Sequence, residues 1–392
     1  MADQDPQLPQ EPVNLVDPKE AAGPAEEDVA GAPRGIALCL SGGGYRAMLF
    51  HVGVLWRLNQ AGYLAKTDRF SSVSGGTITA AVLGMNWGQL AFDGQGVATR
   101  FEAALVQPVR KMAEQTIDES SVLRGLFGMG SISEKIAQAY RKLLFGNKTL
   151  QDLPDAPRFV FNATNIQSGN LIRFSKPYIW DYRVGKVASP KIEIAIAVGA
   201  SSAFPPVLSP VTLQLKDSDF VPNTGKDLQK PPYTTKLVLS DGGVYDNMGI
   251  ETAWKQHETI LVSDAGGKLQ PEEDPKADWV RHSMRVLSVI DNQVRSLRKR
   301  QLIYAYQHGI RKGTYWGIRT DIRDYKLADA LDAPLQQTQE IAGTPTRLAK
   351  MPGRLQERLI NWGYAVCDAA LRAHVDTNLP KGSYPYPRGV AP

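Results

Sequence analysis

The sequence predicts an α/β domain: a mostly parallel central sheet, covered by helices on both sides and carrying helical insertions. Two observations predict it. Short apolar runs of strand length recur along the chain, and several end in turns marked by glycine or asparagine. Longer segments with helical spacing separate them, and strands that alternate with helices pair in parallel with crossovers over both faces.

Taken in order, residues 1–33 hold eight acids against one base, Lys19, and almost no large apolar side chains. Such a segment cannot bury enough surface to offset its ordering entropy, so a disordered acidic tail is expected. Residues 35–41 (GIALCLS) are a buried-strand candidate, followed by a mostly apolar interior helix over Tyr45–Gln60 that stops near Gly62. Residues 70–73 (FSSV), then Ser74-Gly75-Gly76, then the run TITAAVLGM read as strand, sharp turn and helix. The stretch 101–150 reads as helical and is a candidate cap. In its middle Leu126, Phe127, Gly128 and Met129 are a candidate interfacial lid, against the rival reading of a buried interhelical turn. Residues 158–165, 236–243 and 259–267 are further strand candidates. Residues 277–310 and 353–374 read as long helices, the second with Leu355, Leu359, Trp362, Val366 and Ala370 on one face. One body, 34–376, is large for a single core, which implies insertions and a helical C-terminal part over 277–376. Residues 377–392, rich in Pro and Gly, read as an extended tail.

Composition excludes several classes. No run of about 18 uncharged apolar residues could span a bilayer, and residues 1–20 lack the basic and apolar regions of a secretory signal. Cys39, inside an apolar run, and Cys367 read as buried reduced thiols, which suits a cytoplasmic protein. Two cysteines and five scattered histidines show no zinc-ligand spacing, so neither metal nor cofactor is expected. The net charge of +5 hides an asymmetry: residues 1–33 carry −7, leaving +12 on the remaining chain. A basic body favours anionic surfaces, and charge alone does not choose between nucleic acid and phospholipid. The cluster Arg295, Arg298, Lys299, Arg300 lies on a predicted helix. It reads first as a solvated face and next as contact with anionic membrane, and no nucleic-acid motif accompanies it.

Three glycine-marked loops each follow a strand candidate, where ligands bind in open α/β sheets. Ser72-Val73-Ser74-Gly75-Gly76 resembles a nucleophile elbow, in which small residues two before and two after the serine let the backbone turn sharply. Here these are Ser72 and Gly76, with serine in place of the usual leading glycine. The bland alternative is an ordinary Gly/Ser turn. Gly42, Gly43 and Gly44 offer backbone N–H groups free of side chains for a developing oxyanion, and each such donor is worth about 3–4 kcal/mol of barrier. Arg46 is placed to orient that loop or meet a phosphate, with a structural ion pair as its default role. A Walker-type phosphate cradle would need lysine and then Ser or Thr after the last glycine, where Tyr45, Arg46 and Ala47 stand. Asp241-Gly242-Gly243 supplies a carboxylate for general-base work, and Asp264 at the next strand's end competes with it; spacing alone does not separate them.

Five ordered blocks, SGGGYRA, SVSGG, FNATN (161–165), ASSAFPP (200–206) and SDGGVYDNMG, together resemble the patatin-like phospholipase family over roughly 34–265. That resemblance implies a three-layer α/β/α fold and a Ser–Asp dyad without histidine or metal. Carried onto this chain, it gives Ser74 as nucleophile, Asp241 as base, oxyanion donors in Gly42–Gly44, and supporting roles for Arg46, Gly76, Gly242 and Gly243. It leaves Asp264 as a strand-end structural acid. The implied substrate is a fatty-acyl ester of a phospholipid or other glycerolipid, met at a membrane surface by a peripheral protein. Two alternatives stand. One is a Ser–Asp–His triad drawing on His257, His282, His308 or His374, none of which follows a strand candidate. The other is a non-catalytic lipid-binding protein.

Overall fold

A computed structural model of the chain describes residues 33–117, 132–205 and 208–392. The acidic tail and the candidate lid residues Leu126 to Met129 lie outside the described residues.

Among the described residues, eleven strands form one mixed sheet. Its parallel block comprises β1 (Ile36–Leu40), β2 (Thr67–Val73), β3 (Arg158–Asn165), β10 (Thr259–Asp264) and β11 (Lys312–Gly317), in the order β11-β10-β1-β2-β3. Beyond β3 the sheet continues antiparallel through β4 (Asn170–Phe174), β5 (Tyr178–Asp181), β6 (Gly185–Ala188) and β8 (Phe220–Val221). The pair β7 (Val211–Gln214) and β9 (Lys236–Asp241) joins β3 through β9. The antiparallel half was not foreseen, because its strands are short, alternate weakly and follow one another through tight turns.

Period-two alternation divides β1 between two cores. Leu38 and Leu40 face the larger core, while Ala37 and Cys39 face a smaller one with Met248, Ile250, Ala253 and Leu302. Helices therefore cover both faces. In chain order they are α1 (Gly44–Gln60), α2 (Gly75–Met85), α3 (Gln107–Ala113), α4 (Ile132–Tyr140), α5 (Ile194–Ser201), the single turns α6 (Gly243–Asp246) and α7 (Glu251–Trp254), α8 (Trp279–Gln307), α9 (Leu335–Ala342) and α10 (Gly353–His374). No helix among the described residues is long and apolar enough to cross a membrane.

α1 and α10 cross in backbone contact: a β-carbon on Gly53 would stand 1.8 Å from the Ile360 carbonyl oxygen, and one on Gly363 would stand 2.0 Å from that of Phe50. A buried ion pair, Arg57 Nε to Asp368 Oδ1 at 2.7 Å, locks the crossing. The described parts of 101–150 pack into the main core through Leu105, Val109, Ile136, Tyr140 and Phe145. Residues 377–392 are irregular and docked: Val390 is buried, Arg358 Nε donates to its carbonyl, and Asn361 donates to the carbonyls of Tyr386 and Gly389.

Candidate active site

β2 and β9 explain how distant residues meet. β4 pairs along one edge of β3. On the other edge β2 pairs with β3 up to Val73 opposite Asn162, and β9 takes over from Ala163 opposite Asp241. β2 runs parallel to β3 and β9 antiparallel, so the two lie end to end along one edge. The serine elbow leaves where the aspartate strand arrives.

Ser74 is the residue before α2 and sits at φ 50°, ψ −119°, a conformation that costs a non-glycine residue of order 1–3 kcal/mol. Its surroundings hold it there. Its N–H donates to Ser201 Oγ at 3.0 Å, and the Thr77 hydroxyl meets that same oxygen at 2.8 Å. A β-carbon on Gly75 would lie 2.1 Å from the Gly44 carbonyl oxygen, so only glycine lets the elbow and the first loop touch. A β-carbon on Gly42 would likewise be 3.1 Å from Ser74 Cβ.

Within that first loop Gly43 has φ 145°, in the region that favours glycine. Gly42, expected among the oxyanion donors, spends its N–H on the Asn247 carbonyl at 3.0 Å. The N–H groups of Gly43 and Gly44, by contrast, make no hydrogen bond to the described residues, and they open α1, whose dipole favours negative charge at that point. Arg46 is buried, and among the described residues it forms no ion pair. Its Nε and Nη2 donate to the Ala265 carbonyl at 3.1 and 3.0 Å, and its Nη1 donates to that of Thr344 at 2.5 Å.

Asp241 is fully buried. Its peptide N–H donates to the Ala203 carbonyl, its own carbonyl accepts from the Thr164 hydroxyl, and Oδ1 accepts the Gly243 N–H at 2.7 Å. Oδ2 is buried without a hydrogen-bond partner among the described residues. The Ser74 hydroxyl lies near enough to draw the carboxyl's pKa down, yet no bond of standard geometry joins the two. Burial dominates and pushes Asp241 up to about 7, against the pull of the Gly243 N–H and Ser74. Asp264 is equally buried, but Arg295 and Lys299, the Gly266 N–H and the Tyr315 hydroxyl outweigh desolvation and hold it at about 2.

Two side chains had no role assigned from the sequence. Asn247 Oδ1 stands within 2.7 Å of where β-carbons of Gly42 and Gly243 would be, and so sits between the first and third loops. Ser201 joins the second and third, since its carbonyl also accepts the Gly242 N–H at 3.2 Å. Both lay inside quoted blocks, SDGGVYDNMG and ASSAFPP, where only the glycines and the turn carried a physical reading.

The histidines are engaged elsewhere. His51, buried under the first loop, contacts Ser263 Oγ and the Ser41 carbonyl, each at 2.9 Å, and burial lowers its pKa to about 4. His308 Nδ1 meets the Tyr304 carbonyl at 2.9 Å, His374 packs against Tyr325, and His282 is exposed. His257 is buried. Among the described residues, no group of three or more His, Cys, Asp or Glu could hold a metal ion. Cys39 and Cys367 are both buried free thiols.

A sequence profile described as patatin-like phospholipase matches residues 38–254, more than half of the chain. No curated protein matches. Among solved structures, human GIVD cytosolic phospholipase A2 is similar with a TM-score of 0.48 at 14% identity, over 87% of this chain and 63% of that one. VipD from Legionella pneumophila is similar with a TM-score of 0.35 at 15% identity, over 88% of this chain and 67% of that one. The chain thus spans under two thirds of the phospholipase A2 structure's length.

Proposed function

Because the chain belongs to the patatin-like phospholipase family, we propose that it is a lipid acyl hydrolase working through a Ser74–Asp241 dyad. One observation carries this reading: a serine in a strained elbow beside a buried carboxyl whose pKa is pushed up to about 7 and whose Oδ2 has no partner. A base with that pKa is half ionised near neutrality and still accepts a proton readily. Asp241 takes the hydroxyl proton as Ser74 Oγ attacks the ester carbonyl. The N–H groups of Gly43 and Gly44 receive the oxyanion. The intermediate collapses to an acyl-serine, and the departing alcohol takes the proton from Asp241. Water, deprotonated by the same carboxylate, then attacks the acyl-serine; the fatty acid leaves and Ser74 Oγ regains a proton. Asn247 and Ser201 are positioning residues that tie the three loops together.

A lipid hydrolase must meet its substrate at an interface, and α8 supports such a contact. Its last turns pack inward through Leu302 and Ala305, but over 279–300 the helix lies inside out: the half-buried positions are polar or basic (Arg285, Asn292, Arg295, Lys299), while Trp279 (80% exposed), Leu287 (62% exposed), Ile290, Val294 and Leu297 face solvent. An apolar stripe flanked by cations, with a tryptophan at its start, suits an anionic phospholipid bilayer.

Labelling the protein with a fluorophosphonate tests the chemistry. Ser74 is the expected labelled residue, and Ser74→Ala and Asp241→Asn are expected to lose about a thousandfold or more in kcat on phospholipid. Replacement of His257, His282, His308 and His374 in turn is expected to be tolerated. Label on another serine, or loss of turnover with one histidine, would overturn the dyad.

A further inference from the structure

A cavity of about 490 Å³ opens at the carboxyl ends of β10 and β11, roofed by α8. Parallel strands end there beside β1, whose own end is the glycine loop, so the cavity lies on the edge of the sheet where α/β proteins bind ligands. Four cations line it, Lys268, Arg295, Lys299 and Arg319, against one carboxylate, Asp264. Asp264 is already served by the Tyr315 hydroxyl at 2.8 Å and the Gly266 N–H at 2.9 Å, and it stands 3.6 Å from Arg295 and 3.5 Å from Lys299. Asp291, 3.8 Å from Arg295 on the same helix, adds one outlying acid.

Positive charge therefore exceeds what the described residues neutralise. The Nε atoms of Arg295 and Arg319 are buried with no acceptor among the described residues. Arg319 donates to the Ala342 carbonyl and Gln339, and Arg295 to the Gly267 carbonyl, which are neutral partners. The guanidinium groups also oppose one another. Arg46 is lowered to about 10, first by burial and then by Arg319 and Arg295. Crowded cations with spare donors, facing a cavity larger than one phosphate, have the chemistry that recognises an anion.

We propose that this cavity binds a phosphate ester, one phosphoryl group on a small polyol, held by Lys268, Lys299 and the two guanidinium groups. The source is either a phospholipid headgroup or a free metabolite of the same chemistry. The wall between cavity and glycine loop is one segment. Ala265 and Gly266 follow β10, the Ala265 carbonyl accepts from Arg46, and that oxygen lies 2.9 Å from where a β-carbon on Gly43 would be. An anion drawing on Arg295 and Arg319 relieves their repulsion of Arg46 and steadies the loop that faces Ser74. This coupling rests on the dyad reading, whereas the binding itself does not.

Calorimetric titration of full-length Ser74→Ala protein with sn-glycerol 3-phosphate, with glycerol as the uncharged control, separates the two. Saturable binding of the phosphate ester but not of glycerol is expected, at least tenfold weaker in Lys268→Gln/Lys299→Gln. That pair changes exposed or half-exposed amines and so keeps the test valid if Arg319→Gln fails to fold. No saturable binding at millimolar concentrations, or binding unchanged in the double variant, overturns the site. Activity of the wild type then identifies the source. A changed kcat on the neutral ester p-nitrophenyl butyrate marks a free effector. Competition against dihexanoylphosphatidylglycerol, without effect on the neutral ester, marks a headgroup subsite.

Discussion

Asp241 and Asp264 close consecutive strands, and burial acts on both, yet they end at opposite extremes. Asp241 meets one backbone N–H and a hydroxyl, which leaves desolvation in control at about 7. Asp264 meets two cations, a phenol and an N–H, and is held at about 2. The difference fixes two pH dependences of opposite sign. Hydrolysis needs Asp241 ionised, so kcat/KM is expected to rise tenfold per pH unit below an apparent pKa near 7 and level off above it; a profile flat down to pH 5 would contradict its role as base. Stability runs the other way at this residue. The folded state binds the proton more tightly than the ordinary 3.8 of an unfolded chain, so ionisation between about pH 4 and 7 costs stability. Asp241→Asn removes that cost, and its stability relative to wild type is expected to climb across the window in urea unfolding. At Asp264 the depressed value means stability present above about pH 4 and lost as pH falls toward 2. Asp264→Asn leaves half-buried Arg295 short of its nearer acid and is expected to cost about 3 kcal/mol at pH 7.

Among the elements, the α1–α10 crossing and α8 use side chains in contrasting ways. The crossing depends on absent ones. Gly363→Ala puts a methyl group 2.0 Å from the Phe50 carbonyl oxygen, where backbone must give way, and a drop in Tm of several degrees is expected. Gly199→Ala in α5 meets nothing within 4 Å and has ordinary helical φ, so it is expected to stabilise by about 0.5–1 kcal/mol. If both substitutions shift Tm alike, contact is not the cause. On α8 the sequence showed the basic run but not which face would turn outward. Over 279–300 the apolar side faces outward because Asp264 and the Gly267 carbonyl draw Arg295 and Lys299 toward the sheet, whereas Leu302 and Ala305 pack inward in the last turns. Leu287→Ser/Ile290→Ser is then expected to leave Tm within a degree or two while cutting binding to phosphatidylglycerol vesicles at least tenfold. A fall in Tm with unchanged vesicle binding would mean that the stripe packs on protein.

Across the whole molecule, what the sequence revealed follows the strength of local physics. The strands β1, β3, β9 and β10 appear within three residues of their observed ends, because apolar runs closed by glycine or asparagine are strong signals. The helix at 353–374 is legible because Leu359, Trp362, Val366 and Ala370 repeat with helical period and all become buried. β4 to β8 are not, since two to five residues in tight meanders carry little periodicity. Ser74, Asp241 and the glycines are visible as residues at strand ends. That β9 runs antiparallel, end to end with β2, depends on pairing along β3 that no local pattern encodes. The charge distribution also belongs to this scale and to no single element. With +12 on the chain beyond residue 33 and −7 up to it, the acidic segment is expected to compete with anionic lipid for the basic body. Deleting residues 1–32 is therefore expected to tighten binding to phosphatidylglycerol vesicles at 0.1 M salt, where charges act over about 10 Å, and to change it little at 1 M, where they act over about 3 Å. Apolar insertion by α8 is insensitive to that screening, so a residual affinity at 1 M salt, lost in Leu287→Ser/Ile290→Ser, is expected in both forms. If binding vanishes altogether at 1 M salt, α8 contributes no apolar anchorage and the surface works by charge alone.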